Sequence, residues 1–286
     1  MHLEHRGLLY ALGAAVALSI SSVFVKLVVE VPLETMLFAR FFIAFLFLIP
    51  SIALKHVHLH IKYIPKHILR GLMGLISIGF FFYSVTHLPL VNAVTLSNTT
   101  PLFMPIVIFL WLKLIIPKAR ICALVIGFLG VVVILQPLHL SSDLANYIGL
   151  LGALAASFAL VGVRQLSKTE NTATILTYYY LISLVILVIP MIVTWEPIHD
   201  PMNWLYLVLI GISSALYQFM LTRSLTYCPT TKVGSLTYLS VLFSGLLGWW
   251  IFKEVPNLWI IGGTLLIITG GVIALLSKDP ARQRSP

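Results

Sequence analysis

Ser84-Val85-Thr86-His87-Leu88-Pro89 returns as Ser224-Leu225-Thr226-Tyr227-Cys228-Pro229, 140 residues later. At the same shift Leu96 falls on Leu236, and Leu102-Phe103 on Leu242-Phe243. Lys113 falls on Lys253, Gly130 on Gly270, Val132 on Val272 and Leu135 on Leu275, so residues 82–135 and 222–275 align without a gap. Upstream, Pro50 meets Pro190 and Ile52 meets Ile192; near the start the shift becomes 142, placing Gly7 on Gly149 and Lys26 on Lys168. Apolar matches alone are cheap in such a chain. A constant shift through proline, hydroxyl and lysine positions is not, so the chain reads as one unit written twice. The halves are 1–140 and 141–278, with a polar tail over 279–286.

Composition sets the solvent. Of 286 residues, 59% are hydrophobic and 9% charged, with a mean hydropathy of +1.03. Soluble domains carry about 25% charged residues, so too few polar groups exist here to cover a globule, and lipid must face the chain. Ten apolar runs have membrane length, at roughly 6–29, 34–54, 67–87, 91–114, 119–136, 146–167, 172–194, 203–226, 231–252 and 257–276. The fold class is therefore all-α integral membrane: ten transmembrane helices as two five-helix repeats around a central cavity.

The net charge of +9 sits in short loops, which argues for membrane orientation rather than nucleic acid. With the N-terminus in the cytosol, 15 of the 18 Lys and Arg residues fall on the inner side, Arg70 among them. Glu30, Glu34, Asp143, Glu196, Asp200 and Glu254 fall outside. Both termini are then cytosolic, in what would be a bacterial inner membrane. Five spans per unit is an odd number, so the second unit starts on the opposite side and the repeats are inverted. Inverted repeats with a midplane site are a recurrent transporter architecture.

The runs Ser21-Ser22-Val23-Phe24-Val25-Lys26-Leu27 and Ala39-Arg40-Phe41-Phe42-Ile43-Ala44 resemble the first two helices of the EamA branch of the drug/metabolite transporter superfamily. Lys253-Glu254-Val255-Pro256, leading into Gly262 and Gly270-Gly271, resembles that family's last helix pair. The resemblance spans both halves. It implies ten helices, a cavity built mainly from helices 3, 4, 8 and 9 with 1 and 6, and transport of amino acids, nucleotide-related metabolites or other small polar molecules. One departure stands out: Lys113-Leu114 occupies the first-half position where the family often has Gly-Glu.

Polar side chains within spans are costly and so informative. Thr95 and Asn98 share a helical face, and the repeat pairs them with Ser235 and Tyr238. Those four either line a cavity or join helices by hydrogen bonds. Ser77 and Tyr83 in the third span, with Tyr217 and Gln218 in the eighth, would border the same cavity; the Phe80-Phe81-Phe82 rings suit packing better. Arg40, six residues beyond Glu34, would be either a charge at the outer mouth or a structural anchor. Lys26 and Glu30, four apart, are expected to pair. Pro101 and Pro105 should bend the fourth span.

His56, His58 and His60 alternate in a loop without nearby acid or thiol, so a metal site is not expected, and no cofactor is implied. No Asp or Glu lies deep in a span, which leaves a midplane acid relay without support. Walker, HEXXH and GxSxG motifs are missing. The expected function is a secondary transporter of a small polar or amphipathic metabolite, an exporter or exchanger ahead of an uptake permease; a lipid-modifying membrane enzyme is the alternative from another class. Partners are substrate and membrane lipid, not nucleic acid. The Gly127/Gly130 and Gly149/Gly152 spacings permit close helix approach within or between chains, which leaves a homodimer open.

Overall fold

A computed structural model of the chain describes residues 2–54, 57, 63–113, 118–135, 144–228, 233, 236 and 238–276. Ser235, the His56/His58/His60 group and the tail lie outside these. The regular structure among the described residues is helical, with no strand. In chain order the helices are α1 (His2–Leu27), α2 (Leu33–Leu46), α3 (Ile49–Ala53), α4 (Ile64–His87), α5 (Leu90–Ser97), α6 (Thr100–Leu112), α7 (Lys118–Leu135), α8 (Leu144–Leu166), α9 (Thr172–Val193), α10 (Pro201–Tyr227), α11 (Leu239–Phe252) and α12 (Leu258–Leu276). Among the described residues six stretches are long and apolar enough to span a membrane: His5–Leu27, Ile64–His87, Leu90–Trp111, Leu144–Leu166, Thr172–Val193 and Pro201–Tyr227. Ile121–Ile134, Leu239–Phe252 and Leu258–Gly270 are shorter apolar helices. Large apolar side chains such as Leu9, Val185, Ile189, Trp250 and Leu258 are exposed on their outer faces, as lipid contact requires.

Local chemistry sets the boundaries. Asn171 caps α9 by accepting from the Thr174 N–H at 2.8 Å, and Asp200 caps α10 by accepting from Met202 N–H at 2.9 Å. Pro50 starts the short α3, whereas Pro190 lies inside α9, close to its end. The fourth span is broken rather than bent: Asn98 and Thr99 form a turn between α5 and α6. Pro101 cannot donate to the Ser97 carbonyl, and the Thr100 hydroxyl does so instead, at 2.6 Å. The Thr99 hydroxyl likewise donates to Leu96 O at 2.6 Å. Tyr238, which stands 140 residues after Asn98, is also a turn residue, immediately before α11.

The helices pack pairwise along their lengths: α1 on α10, α4 on α8, and α7 on α12. Further contacts join α2 to α10, α4 to α9, α1 to α11 and α6 to α8. The α7–α12 seam is the closest. A Cβ built on Gly130 would sit 2.6 Å from the Gly263 carbonyl oxygen, and one on Gly270 would sit 2.7 Å from that of Ala123. Because 130 meets 263 while 123 meets 270, the two helices run antiparallel. Backbones this close leave no space for a side chain, which is what small residues provide in lipid. Lys113 ends α6 and Lys253 ends α11, both left-handed, at φ 52° and 57°.

Candidate functional site

One end of the bundle is tied by charge. Lys26, in the last turn of α1, pairs with Glu254, just past α11, rather than with the expected Glu30. Its ammonium also donates to Leu88 O at 2.6 Å. The other Glu254 oxygen accepts from the backbone N–H of Leu90, at the start of α5, at 2.6 Å. Glu254 therefore meets the positive end of the α5 dipole as well as a cation. Both side chains of the pair are 18% exposed, so water screens them only in part. Nearby, Asn203 Nδ2 donates to Val29 O at 2.9 Å, and Thr194 Oγ1 donates to Glu34 at 3.4 Å.

Below this tie lies a polar knot. Asn98 Nδ2 donates to Ser240 Oγ at 2.9 Å and to Val94 O at 2.8 Å. Ser19 Oγ donates to Ser240 O at 3.0 Å, and Ser244 Oγ donates to Ser19 Oγ at 3.1 Å. The knot fastens α1, α5 and α11 together with neutral groups, each satisfied where water is scarce. Thr95 is wholly buried; its hydroxyl donates to Val91 O at 2.6 Å and reaches Thr264 Oγ1 at 3.5 Å, a joint between helices.

Beyond the knot, toward the N-terminal end of α4, a cavity of about 80 Å³ opens. Its walls come from α1 (Leu18), α4 (Arg70, Gly74, Ser77, Ile78, Phe81), the α5–α6 break (Ser97, Asn98, Thr100, Pro101, Met104), α8 (Ala156, Ala159, Leu160), α9 (Tyr179) and α10 (Tyr217, Gln218, Leu221, Leu225), with Val233. Ser77, Asn98, Tyr217 and Gln218 thus share one space. Tyr83 does not border it: its ring stacks on His87, with centroids 4.1 Å apart. Tyr238 is buried but outside the lining, and its hydroxyl has no hydrogen-bond partner. A water takes about 30 Å³ of liquid, so the cavity holds a few waters and must widen for any organic molecule.

Two side chains were not legible as site residues. Arg70, counted among the loop charges, is 3% exposed and faces the cavity. Its Nη2 donates to Gln218 Oε1 at 3.2 Å, and its guanidinium lies 4.0 Å from the Tyr179 ring centroid. Tyr179 itself was missed because one aromatic in Tyr178-Tyr179-Tyr180 looks like the next. Arg40, read as a mouth charge or an anchor, is 1% exposed. It lies 4.8 Å from the Phe41 ring and 5.7 Å from that of Phe82. An arginine at a span centre costs about 2.5–3.5 kcal/mol on insertion scales, so two buried ones stand out. A search for buried rather than counted charges, noting Arg70 within Ile68-Leu69-Arg70-Gly71-Leu72, would have found the first.

A bundle of apolar helices, six of its described stretches long enough to span a membrane, with a cavity between them suits the class of membrane transport proteins. The EamA-like transporter family matches residues 5–136 and again 144–276, so the chain belongs to that family. It is an integral membrane transporter and not an enzyme. It is 31% identical to the pseudopaline exporter CntI of Pseudomonas aeruginosa over 268 residues, covering 92% of this chain and 93% of that one. It is 24% identical to a riboflavin transporter of Vibrio cholerae, covering 100% and 99%. It is 27% identical to an S-adenosylmethionine uptake transporter of Rickettsia felis, covering 86% and 84%. A solved crystal structure shares the fold at TM-score 0.67 and 18% identity, over 99% of this chain and 98% of that one.

Proposed function

We propose that the protein is a secondary transporter that moves a small polar or amphipathic metabolite by alternating access of two inverted five-helix halves, 1–140 and 141–278. The observation that carries this reading is the cavity walled by both halves, with the Lys26–Glu254 ion pair across one end. The packing supports the inversion. Shifting by 140 turns the Gly130–Gly263 approach into the Gly270–Ala123 approach, and α7 and α12 run antiparallel. The same exchange turns α1 on α10 into α8 on α4, and α2 on α10 into α9 on α4. A pseudo-twofold axis lying in the membrane plane relates such elements.

The distribution of Lys and Arg favours cytosolic termini, which makes the Glu254 end external and the cavity inward-leaning. Ser77, Asn98, Tyr217 and Gln218, which line the cavity, are the proposed substrate contacts; Thr95, Tyr83 and Tyr238 lie outside its lining. Export or exchange is favoured by the 31% relative, an exporter; the uptake relatives, at 24–27%, support the opposite direction less. Counterflow in proteoliposomes, loaded with unlabelled organic and amino acids and given each labelled compound in turn, tests the reading. Saturable accumulation of at least one compound is the expected result. Passive equilibration of all of them would sink it.

A further inference from the structure

Arg70 and Arg40 are cations without anions. Among the described residues neither forms an ion pair. Nε and Nη1 of both have no hydrogen-bond partner, although both side chains are at least 97% buried. The surroundings compensate only in part. Tyr179 offers its ring face to Arg70, and the Phe41 ring stands edge-on to Tyr179 with centroids 5.1 Å apart, so an aromatic wall separates the two guanidinium groups. Ring faces attract a cation but accept no N–H hydrogen bond of ordinary strength. Two like charges buried without counter-charge repel each other, and each retains Nε and Nη1 donors with no acceptor. Of the two, Arg70 opens onto the cavity.

We infer that the cavity takes an organic anion whose carboxylate is held on the Arg70 guanidinium. A guanidinium has two forks, each built from a pair of N–H groups, and a carboxylate matches either one with two parallel hydrogen bonds. Nη2 contributes one hydrogen to each fork. Whichever of these Gln218 accepts, the other fork keeps both of its donors. Apart from Ser77, Ser97, Asn98, Thr100 and Gln218, the rest of the wall is apolar or aromatic, from Leu18, Ile78, Phe81 and Met104 to Tyr179 and Tyr217, which suits the hydrocarbon part of the same molecule better than a hydrated inorganic ion. Arg40, behind Phe41, makes no contact; it adds positive field and is a positioning residue. The inference rests on the transport reading only in making the anion the cargo.

The test uses the full-length chain in nanodiscs, with thermal unfolding followed at matched ionic strength. Sodium benzoate should raise the midpoint saturably, and benzamide, the same shape without the charge, should not. Sodium phosphate and chloride should have no comparable effect; a phosphate shift equal to that of benzoate would mean an inorganic-anion site and overturn the organic assignment. Arg70→Gln should weaken benzoate at least tenfold, as loss of a charge-assisted pair does. Arg70→Lys should retain part of the effect and Arg40→Gln most of it.

Without ligand, Arg70→Gln should unfold at the wild-type midpoint or above it, because it removes an uncompensated buried charge. A markedly lower unliganded midpoint would show that Arg70 is structural. Absence of a benzoate shift in wild type, or equal shifts from benzoate and benzamide, would also overturn the inference. The two readings fail separately: counterflow of a neutral compound, undisturbed by Arg70→Gln, would sink the anion and keep the transporter. Carboxylate stabilisation without counterflow would do the reverse.

Discussion

The two ends of the bundle are tied by different chemistry. At one, Lys26, Glu254, the Leu88 carbonyl and the Leu90 N–H form a half-buried charged cluster that joins α1, α5 and the chain after α11. At the other, Arg164 Nη1 donates to Leu225 O at 2.7 Å and joins α8 to α10 with no acid between them. The helices that end in Lys113 and Lys253 stop in the same left-handed conformation, yet Glu254 follows one and Leu114 follows the other. Near-identical backbone punctuation is thus followed by a carboxylate at one end and by a leucine at its counterpart. Under the proposed alternating access, equal ends would be equally populated, and an asymmetry of this kind would set the resting state.

The largest way to break that contrast is Glu254→Gln. It leaves the Lys26 ammonium part-buried without its anion, which should favour opening of that end by about 1–3 kcal/mol, or roughly 5–150-fold. A cysteine at Leu88, with Cys122 and Cys228 replaced by serine, reports it through the labelling rate of an impermeant maleimide. An unchanged rate would mean the pair does not lock. A smaller change should come from salt: raising sodium chloride tenfold should speed labelling at Leu88 a few-fold, because part-buried pairs are incompletely screened. The opposite end, where Arg164 bonds to a carbonyl, should respond less, as the native Cys228 thiol can show in a Cys122→Ser background.

Arg164→Gln sharpens the comparison from the other side. Losing one charge-assisted bond to a carbonyl should cost about 1 kcal/mol, a roughly fivefold faster labelling of Cys228 and no change at Leu88. Smallest is Asn98→Ala in the knot, expected to lower transport a few-fold at unaltered yield, since Ser240 and Ser19 still bond to each other. Tyr238→Phe separates packing from binding: its hydroxyl bonds to nothing here, so a transport defect would place substrate against it.

How far the site could be read in advance depended on what each residue's reading needed. Ser77, Asn98, Tyr217 and Gln218 are polar within apolar runs, and cost alone singles such residues out. Thr95 met the same criterion, but its hydroxyl bonds within α5 and reaches toward α12, a choice no spacing rule makes. Tyr83 was equally plausible on its helix, and stacking on His87 took it elsewhere. Lys26 had an acid four residues away, yet α1 ends at Leu27, and Glu30 lies at φ 59° beyond the helix; the i,i+4 geometry that pairing needs does not exist there.

What the amino-acid order determined by itself is everything that depends on a window of a few turns: lipid as the solvent, helices as the elements, a proline disturbance of the fourth span, expected as a bend, and an internal copy at a shift of 140. Partner choice across the bundle was decided only in three dimensions. Glu254 lies 228 residues from Lys26, and Gln218 lies 148 from Arg70. A charge in a short apolar context looks the same whether it ends at a headgroup or in a cavity. The difference is made by which distant helix stands opposite, and that is settled by packing over the whole molecule, not by any local preference.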